Sequence, residues 1–340
     1  MSAEKVKIGV IGVGHLGRWH VQQLKMIDRA DLVGIFDSNP ERSRQIAGEF
    51  STREFAEVNQ LLVHCDAVSI VTPTTTHFEY AKMALERGKH VFVEKPVTER
   101  IEQGETLLAL EKESGLKFQV GHIERFNPAI LALENTIVNP LFIESHRLAN
   151  FNPRGTDVAV VLDLMIHDID LILSFIDSPV KSIHASGVPI ISATEDIANC
   201  RLEFENGCTA NVTASRISTR KMRKMRFFQP NAYISVDFLD GSSDVYYLAD
   251  PRDQNPGDNL AFSLGQIGDG ASKKEIRYVR FEKKDINPLN YELSLFVRSI
   301  LEDQPTAVTL KEAVRDLVVA EAILKNIEEH ALLVKTNWRI

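Results

Sequence analysis

The sequence predicts an α/β protein with two domains, a doubly wound parallel sheet followed by a domain with an antiparallel sheet. Over residues 1–122, apolar strand-like segments alternate with helical segments, as in a parallel sheet with crossover helices. From about residue 180 to 281, apolar and polar residues alternate with a period of two, which is typical of an antiparallel sheet with one covered face. We therefore predict a first domain over 1–122 and a second over 123–340.

Composition and charge narrow the class of protein. With 340 residues and 44% hydrophobic content, the chain is long enough for two domains that each bury a core. The net charge of −8 argues against a nucleic-acid partner, and three scattered cysteines suit a reducing compartment better than a disulfide framework or a zinc site. Residues 158–176 are mostly apolar, but charged side chains interrupt them, so we expect a buried helix and no membrane segment. With no signal segment at the N-terminus, a cytoplasmic protein is expected.

The first predicted strand, Val6 to Ile11, ends in a glycine-rich turn that leads into a helix over 16–26. Each glycine has a physical task in a dinucleotide-binding turn. Gly12 permits the tight turn, Gly14 lets a pyrophosphate approach bare backbone, and Gly17 lets the helix pack closely on the strand. The helix N-terminus then faces the phosphate, so this turn predicts a dinucleotide site.

The next predicted strand, over 32–36, ends in Asp37, which lies 20 residues after Gly17 (37 − 17). This carboxylate can accept hydrogen bonds from the adenosine ribose hydroxyls and would repel a 2′-phosphate. We therefore predict that the chain binds NAD in preference to NADP. His15 and Leu16, at the start of the helix, are further candidate contacts of the cofactor.

Two loops follow later strands of the same predicted sheet, at the edge where ligands bind in doubly wound folds. One strand runs into Thr72-Pro73 and, a few residues on, His77; another runs into Glu94-Lys95-Pro96. Proline after Lys95 restricts this lysine to extended geometry and could hold it over a ligand. The other interpretation is an ordinary solvated lysine at a strand end.

The predicted second domain contains two hairpin turns, Asn206-Gly207 and Asp240-Gly241. The segment 250–272 is rich in Gly, Asp, Asn and Pro, and we expect a mobile loop there. Two helices, over 289–301 and 310–329, close the chain.

The helix predicted over 158–175 is apolar nearly all round except for one polar stripe. At about 100° per residue, Asp163, His167, Asp170 and Ser174 fall within a narrow sector. Asp163 stands four residues before His167, close enough for its carboxylate to orient the imidazole and stabilise its charge. A histidine held in this way is a good general base for a hydroxyl proton. A solvated helix face is the other interpretation.

The motifs follow one another as Gly12-x-Gly14-x-x-Gly17, Thr72-Pro73 with His77, Glu94-Lys95-Pro96, and Asp163-x-x-x-His167-x-x-Asp170. In this order and spacing the chain resembles the glucose–fructose oxidoreductase, inositol dehydrogenase and rhizopine catabolism (Gfo/Idh/MocA) family over nearly its whole length. The resemblance implies an N-terminal Rossmann domain that binds NAD. It also implies a C-terminal α/β domain with an open-faced, mostly antiparallel sheet, for substrate binding and oligomerisation.

The resemblance further implies a catalytic set of Lys95, Asp163 and His167. His167 would take the proton from a ring hydroxyl while hydride passes to C4 of the nicotinamide, and Lys95 would stabilise the charge on the same oxygen. Asp163 would position substrate and base. Relatives often carry glycine where this chain has Met165, which could reshape the pocket without removing a catalytic group. No metal is needed, because histidine and lysine already handle proton and charge.

The candidate residues form two sets. The cofactor set is Gly12, Gly14, His15, Leu16, Gly17, Asp37, Thr72, Pro73, His77 and Glu94. The substrate set is Lys95, Arg125, Asn127, Asp163 and His167.

Two stretches bear on the substrate. Residues 121–128 and the basic tract from Arg216 to Arg226 resemble the subgroup that oxidises C3 of UDP-N-acetylglucosamine, and basic side chains suit a pyrophosphate. A solvated edge or a subunit contact is the alternative for this tract. Arg125 and Asn127 could equally be hydrogen-bonding residues at a domain hinge.

The leading hypothesis is therefore an NAD-dependent sugar dehydrogenase. A dehydrogenase of a free cyclitol or monosaccharide is the alternative within the same class. A non-catalytic dinucleotide-binding regulator is disfavoured by the intact catalytic set, and a glycosidase that uses NAD transiently would need different catalytic residues. We expect a homodimer or homotetramer built through the open sheet, where Tyr246-Tyr247-Leu248 adds exposed aromatic surface.

Overall fold

The computed structural model describes residues 4–151, 158–251, 261–283 and 285–338. These fall into two compact units. The first unit comprises Met1–Phe126 and Ile286–Val318, and the second comprises Asn127–Asp285 and Val319–Ile340. Each unit is therefore built from two stretches of the chain.

The first unit is built on a five-stranded parallel sheet in the order β2-β1-β3-β4-β5. Its strands are β1 (Val6–Ile11), β2 (Ala30–Phe36), β3 (Ala67–Ile70), β4 (His90–Glu94) and β5 (Phe118–Gly121). The order reverses between β1 and β3, and ligands of such sheets bind in the crevice outside the strand ends at that point. The prediction of a doubly wound parallel sheet is confirmed.

The described helices include those predicted over 16–26, 289–301 and 310–329, the last of which is longer than predicted. In chain order they are α1 (His15–Met26), α2 (Pro40–Phe50), α3 (Val58–His64), α4 (His77–Glu86), α5 (Ile101–Ser114), α6 (Pro128–Leu131), α7 (Ile166–Phe175), α8 (Pro288–Leu301) and α9 (Leu310–Trp338). Asn39 caps α2 by accepting hydrogen bonds from the backbone N–H groups of Glu41 and Arg42, and α5 ends at Gly115 with a φ of 65°. Among the described helices, none combines the length and the hydrophobicity needed to span a bilayer.

The core of the first unit includes residues from near the C-terminus. Leu293, Phe296 and Val297 of α8 are buried with side chains of α1 and the parallel sheet. The ring of Phe296 meets that of Phe92 on β4 edge to face, with 5.8 Å between centroids. Without α8 this apolar surface of the sheet would face water.

The second unit is built on a nine-stranded sheet in the order β13-β14-β12-β11-β10-β6-β9-β8-β7. Its strands are β6 (Phe142–Leu148), β7 (Val180–Val188), β8 (Ile197–Phe204), β9 (Thr209–Ser215), β10 (Met222–Gln229), β11 (Ala232–Asp237), β12 (Ser242–Ala249), β13 (Phe262–Ile267) and β14 (Lys274–Glu282). All neighbours are antiparallel except β6 and β9. Side chains of α7 and α9 share one buried cluster with one face of this sheet.

The predicted hairpins and cysteines are found as expected. Gly207 links β8 to β9 with a φ of 87°, and Gly241 links β11 to β12 with a φ of 67°. The three cysteines are unlinked and buried, and burial raises the pKa of Cys65 to about 11 and that of Cys200 to about 12. These thiols therefore stay protonated near neutral pH and are poor nucleophiles.

The loop predicted over 250–272 is wrong in part, because β13 lies within it and pairs with β14. Every side chain of β13 is exposed. The strand forms by backbone pairing at the sheet edge and not by burial, so its sequence lacks the signal of a buried strand. Residues 252–260 of the predicted loop lie outside the described residues.

The face of the second sheet that lies opposite the buried cluster carries a row of aromatic side chains across six neighbouring strands. From the edge inward the row is Phe262, Tyr278, Tyr246, Tyr233, Phe228 and Phe142. Successive ring centroids are 4.8 to 6.5 Å apart. Tyr247, which the sequence placed in an exposed run, instead packs against the buried cluster.

Beside the aromatic row runs a row of alternating charge. It consists of Arg280, Asp244, Arg226 and Glu144, read across the sheet from β14 to β6, with the uncharged Ser235 of β11 between Asp244 and Arg226. Arg226 pairs with Glu144 at 2.8 Å, and the hydroxyl of Tyr278 donates to Asp244 at 2.7 Å, which ties the two rows together. We call the aromatic row and this charged row together the open face.

Candidate active site

The turn after β1 requires two of its three glycines for packing. Gly12 has a φ of 85°, and a Cβ there would lie 2.7 Å from the carbonyl oxygen of Val71. A Cβ on Gly17 would lie 2.0 Å from the carbonyl oxygen of Gly12. Both contacts are too short for any side chain, so the tight turn and the close approach of α1 need glycine.

Gly14 is different, because a Cβ there would meet no described atom within 4 Å. Packing does not require glycine at this position, yet the open space lies at the N-cap of α1, whose first turn contains no acidic residue. Backbone N–H groups and the helix dipole favour an anion there. His15 and Leu16 begin the same helix and are exposed. The space before Gly14 therefore fits the pyrophosphate of a dinucleotide.

Asp37 is fixed on the glycine turn. Its Oδ2 accepts a 2.7 Å hydrogen bond from the backbone N–H of Val13, and its Oδ1 accepts one of 2.8 Å from that of Asn39. Each carboxylate oxygen can accept a second bond, so the half-buried group retains capacity for ribose hydroxyls. These contacts suit the predicted role of Asp37 in holding the adenosine ribose.

Arg42 is a residue near this site that sequence reasoning missed. Its guanidinium donates to the carbonyl oxygens of Val13 at 2.8 Å and Gly14 at 3.1 Å. A cation is thus attached to the same turn as the Asp37 carboxylate. In the sequence Arg42 is recognisable only as a residue in the first turn of α2. Nothing in that position predicts a contact with the glycine turn.

His77 joins the two predicted loops. One ring nitrogen, Nδ1, lies 2.8 Å from the carbonyl oxygen of Pro96, and Nε2 lies 2.9 Å from that of Thr72. Thr76 donates from its hydroxyl to the hydroxyl of Thr72 at 2.8 Å. Burial lowers the pKa of His77 against the opposing effect of these contacts. His77 therefore fixes the backbone on which Thr72, Pro73 and Lys95 stand, while its ring is buried.

Glu94 ends β4, immediately before the half-buried Lys95. Its carboxylate lies 3.1 Å from Nε2 of His20, a fully buried residue of α1. Burial alone would raise the pKa of Glu94, but the hydrogen bond from His20 and the nearby positive charge of Lys95 bring it below the usual range. The sequence contained a signal for His20. Gly17, His20 and Leu24 are three and four residues apart and so share the buried face of α1, where a polar side chain needs a partner.

In the second unit the predicted helix over 158–175 is not one regular helix. Val161–Met165 form a single π turn, and α7 begins only at Ile166. Such turns are rare and often lie at functional sites. Asp163 lies in the π turn and His167 in the first turn of α7, and both are half-buried.

The π turn changes the angle between Asp163 and the residues of α7, whereas His167, Asp170 and Ser174 all lie in α7 and keep helical spacing, so the predicted stripe differs in exposure along its length. Asp170 is fully buried, whereas Ser174 is exposed and its hydroxyl donates to the carbonyl oxygen of Leu171 at 2.7 Å. Of the four residues, Asp163 and His167 share an intermediate exposure at the start of the helix.

Asp168 and Arg147 form a buried ion pair that sequence reasoning missed. Nε of Arg147 lies 2.7 Å from one carboxylate oxygen of Asp168, and the hydroxyl of Ser145 donates to the other at 2.9 Å. Both Ser145 and Arg147 project from β6, so the pair fastens the helix turn that carries His167 to the sheet. The alternation along β6 places arginine on the buried face, and an arginine there needs an acidic partner.

Arg125 and Asn127 lie on either side of the division between the units, and each has partners within its own unit. Arg125 pairs with Glu312 at 2.8 Å. Burial raises the pKa of Glu312, but the guanidinium and hydrogen bonds from Thr309 outweigh it and lower the pKa to about 2. Asn127 caps α6 and donates to the carbonyl oxygen of Phe238 at 3.1 Å. These contacts fit hinge residues, and a substrate role for them stays a prediction.

Several members of the basic tract pair across the second sheet. Lys224 lies 3.0 Å from Asp237 on β11, and Arg226 pairs with Glu144. Arg216 is buried and donates to the carbonyl oxygen of Val158. Arg220, Lys221 and Arg223 are exposed. The tract is therefore not a single cationic surface.

Family comparisons agree with this architecture. Residues 6–122 match the model of an oxidoreductase family with an NAD-binding Rossmann fold. Residues 139–234 match the model of the GFO/IDH/MocA C-terminal domain.

Individual relatives extend over much of the chain. The UDP-N-acetylglucosamine 3-dehydrogenase of Acidithiobacillus ferrooxidans is 42% identical over 243 residues, which cover 71% of this chain and 77% of the relative. The scyllo-inositol 2-dehydrogenase (NAD(+)) of Bacillus subtilis is 30% identical over 233 residues, covering 63% of this chain and 68% of the relative.

Among solved structures, UDP-N-acetylglucosamine 3-dehydrogenase GnnA from A. ferrooxidans matches with a TM-score of 0.84 and 34% identity. That match covers 96% of this chain and 99% of the other. It is longer than the 243-residue sequence match and takes in more divergent segments, so its sequence identity is lower. The family models, the relatives and the two-unit fold agree, and the chain belongs to the Gfo/Idh/MocA oxidoreductase family.

Proposed function

We propose that this chain is an NAD-dependent dehydrogenase that oxidises the C3 hydroxyl of UDP-N-acetylglucosamine. The observation that carries the proposal is its 42% identity to a UDP-N-acetylglucosamine 3-dehydrogenase, together with a structural match over 96% of its length. The catalytic set expected from the family motifs, Lys95, Asp163 and His167, is complete in this sequence.

The proposed chemistry divides proton, charge and hydride among separate groups. NAD, when bound, supplies the hydride acceptor. His167 removes the proton of the ring hydroxyl as a general base, and Asp163 orients substrate and base. Lys95 donates to the same oxygen and stabilises its growing negative charge. The buried pair of Arg147 and Asp168 holds the turn that carries His167.

For the cofactor we propose NAD in preference to NADP, held over the turn at Gly14 with its adenosine ribose on Asp37. A carboxylate fixed by two backbone N–H groups cannot swing away from a 2′-phosphate, so repulsion would persist. We also propose that residues 1–122 serve as the cofactor domain, with Ile286–Val318 packed in the same unit, and that the rest of 123–340 serves as the substrate and oligomerisation domain of a cytoplasmic homodimer or homotetramer.

The test is reduction of NAD, followed by the absorbance of reduced nicotinamide, across a panel of UDP-sugars, free aldoses and inositols. We expect turnover with UDP-N-acetylglucosamine and much slower turnover with N-acetylglucosamine, which lacks the nucleotide. The similarity to a scyllo-inositol 2-dehydrogenase makes inositols the second candidate substrates. Turnover of inositols without turnover of any UDP-sugar would replace the first proposal with the second.

A further inference from the structure

A chain of three polar side chains runs through the first unit from α1 to the end of β4. Nδ1 of His20 lies 2.9 Å from the hydroxyl oxygen of Ser69 on β3, and Nε2 lies 3.1 Å from a carboxylate oxygen of Glu94. His20 and Ser69 are fully buried, whereas the side chain of Glu94 is 13% exposed. This series of hydrogen-bonded side chains therefore begins in the protein interior and reaches the surface at Glu94.

The chemistry of the groups fixes the direction of the hydrogen bond between His20 and Glu94. An ionised carboxylate only accepts, so Nε2–H of His20 donates to Glu94. The other ring nitrogen, Nδ1, lies within hydrogen-bond distance of the hydroxyl of Ser69, which can donate or accept. Serine, histidine and carboxylate in this order resemble a nucleophilic triad. However, Ser69 is buried within a central strand, so an external substrate cannot reach it, and the working end is Glu94.

The backbone across from Glu94 is shaped to admit its carboxylate. Gly121 on β5 is paired with Glu94, and a Cβ on Gly121 would lie 2.8 Å from a carboxylate oxygen. The titratable groups that act on Glu94 are His20 from α1, His77 from α4 and Lys95, its neighbour in sequence. His20 forms a hydrogen bond with the carboxylate.

We propose that His20 is a positioning residue that holds the carboxylate of Glu94 as a fixed anion beside Lys95, so that oxidised nicotinamide, which is cationic, is favoured over reduced nicotinamide. The inference rests on the proposed function, because it assigns the end of β4 to the cofactor.

The sign of the expected pH dependence follows from burial. Burial raises the pKa of Glu94, and the hydrogen bond from His20 opposes it. If His20 becomes alanine, burial acts with less opposition and the pKa of Glu94 rises. Glu94 would then lose its charge at a higher pH than in the wild type, and the preference for oxidised cofactor would disappear at that pH.

The experiment measures the dissociation constants of NAD⁺ and NADH as a function of pH, which needs no substrate. In His20→Ala the pH at which the preference for NAD⁺ is lost should move upward by about one unit, equivalent to about tenfold in the ratio of constants near the transition. His20→Gln, which retains a donor, should restore part of the wild-type behaviour. Gly121→Ala leaves His20 in place but displaces the carboxylate, so it should also change the ratio.

Controls separate position from general damage. His64→Ala removes an exposed histidine of α3, and Gly48→Ala adds a methyl group in open space on α2, so both should behave as wild type. A wild-type pH dependence in both folded His20→Ala and folded Gly121→Ala would overturn the proposal. If His20→Ala does not fold, His20→Gln and Gly121→Ala decide the test. Failure to oxidise UDP-N-acetylglucosamine would count against the proposed substrate and not against this inference.

Discussion

Lys95 and His167 each lie where the backbone changes conformation. Lys95 follows the last residue of β4, and His167 is the second residue of α7, directly after the π turn. At such junctions a side chain can leave the regular spacing of strand or helix, which suits groups that must meet a ligand. Their sequence motifs are short, and each side chain is half-buried.

Replacing either residue by alanine should lower turnover by about 10²-fold or more, because a general base or an oxyanion partner is lost. The dissociation constant for NAD should change little. Steady-state kinetics and cofactor titration test this, with exposed Lys112→Ala and His64→Ala as matched controls. A near wild-type rate in either variant would remove that residue from the catalytic set.

Asp37 and Arg42 hold opposite charges on the same turn, which leads to a prediction about cofactor choice. Asp37→Ala should weaken NAD binding and strengthen NADP binding, because repulsion of a 2′-phosphate disappears while the guanidinium remains. The double variant Asp37→Ala/Arg42→Gln should lose the gain for NADP. Dissociation constants of both cofactors decide the matter, and wild-type protein that prefers NADP would contradict it.

At the scale of single elements, the buried pair of Arg147 and Asp168 connects β6 to α7. Asp168→Ala would leave a buried guanidinium without its carboxylate and should cost about 3–5 kcal/mol in the free energy of unfolding. Urea denaturation measures this change. Glu302→Ala breaks the exposed pair with Arg29 in the first unit and should cost at most about 1 kcal/mol. Equal decreases in the free energy of unfolding in the two variants would show that burial does not determine how much an ion pair contributes to stability.

Elements with a local signal could be predicted from the sequence, and elements without one could not. The glycine turn, α1 and Asp37 lie within 26 residues of one another (37 − 12 + 1), and their spacing alone predicts their association. By contrast, β13 lacks a buried face, and the π turn looks like ordinary helix in sequence. The contact between His20 and Glu94 spans 74 positions, so no local pattern shows it.

On the scale of the whole molecule, the open face bears on assembly. A row of exposed and half-buried aromatic rings beside charges of both signs is self-complementary, since two copies related by a two-fold axis can place each arginine against a carboxylate. The exposed rings of Tyr246 and Phe262 also favour burial. We therefore expect a homodimer or homotetramer formed through the open face.

Light scattering at micromolar concentration should give a multiple of the 38.2 kDa chain mass. Tyr246→Arg, at the centre of the aromatic row, should shift the protein toward the monomer, whereas Val63→Arg, exposed on α3 of the other unit, should not. A wild-type mass of one chain would refute the expected assembly. An unchanged mass for Tyr246→Arg would place the interface elsewhere.

The split composition of the first unit has a consequence for how the protein is made. A ribosome that synthesises the chain from its N-terminus completes the parallel sheet early, but Phe296 and its neighbours on α8 emerge only after the whole second sheet. At roughly 5–20 residues per second, the first unit waits several seconds or longer for its last core segment. During that interval the nascent sheet exposes an apolar patch, which makes chaperone capture of the growing chain an expected step in its biogenesis.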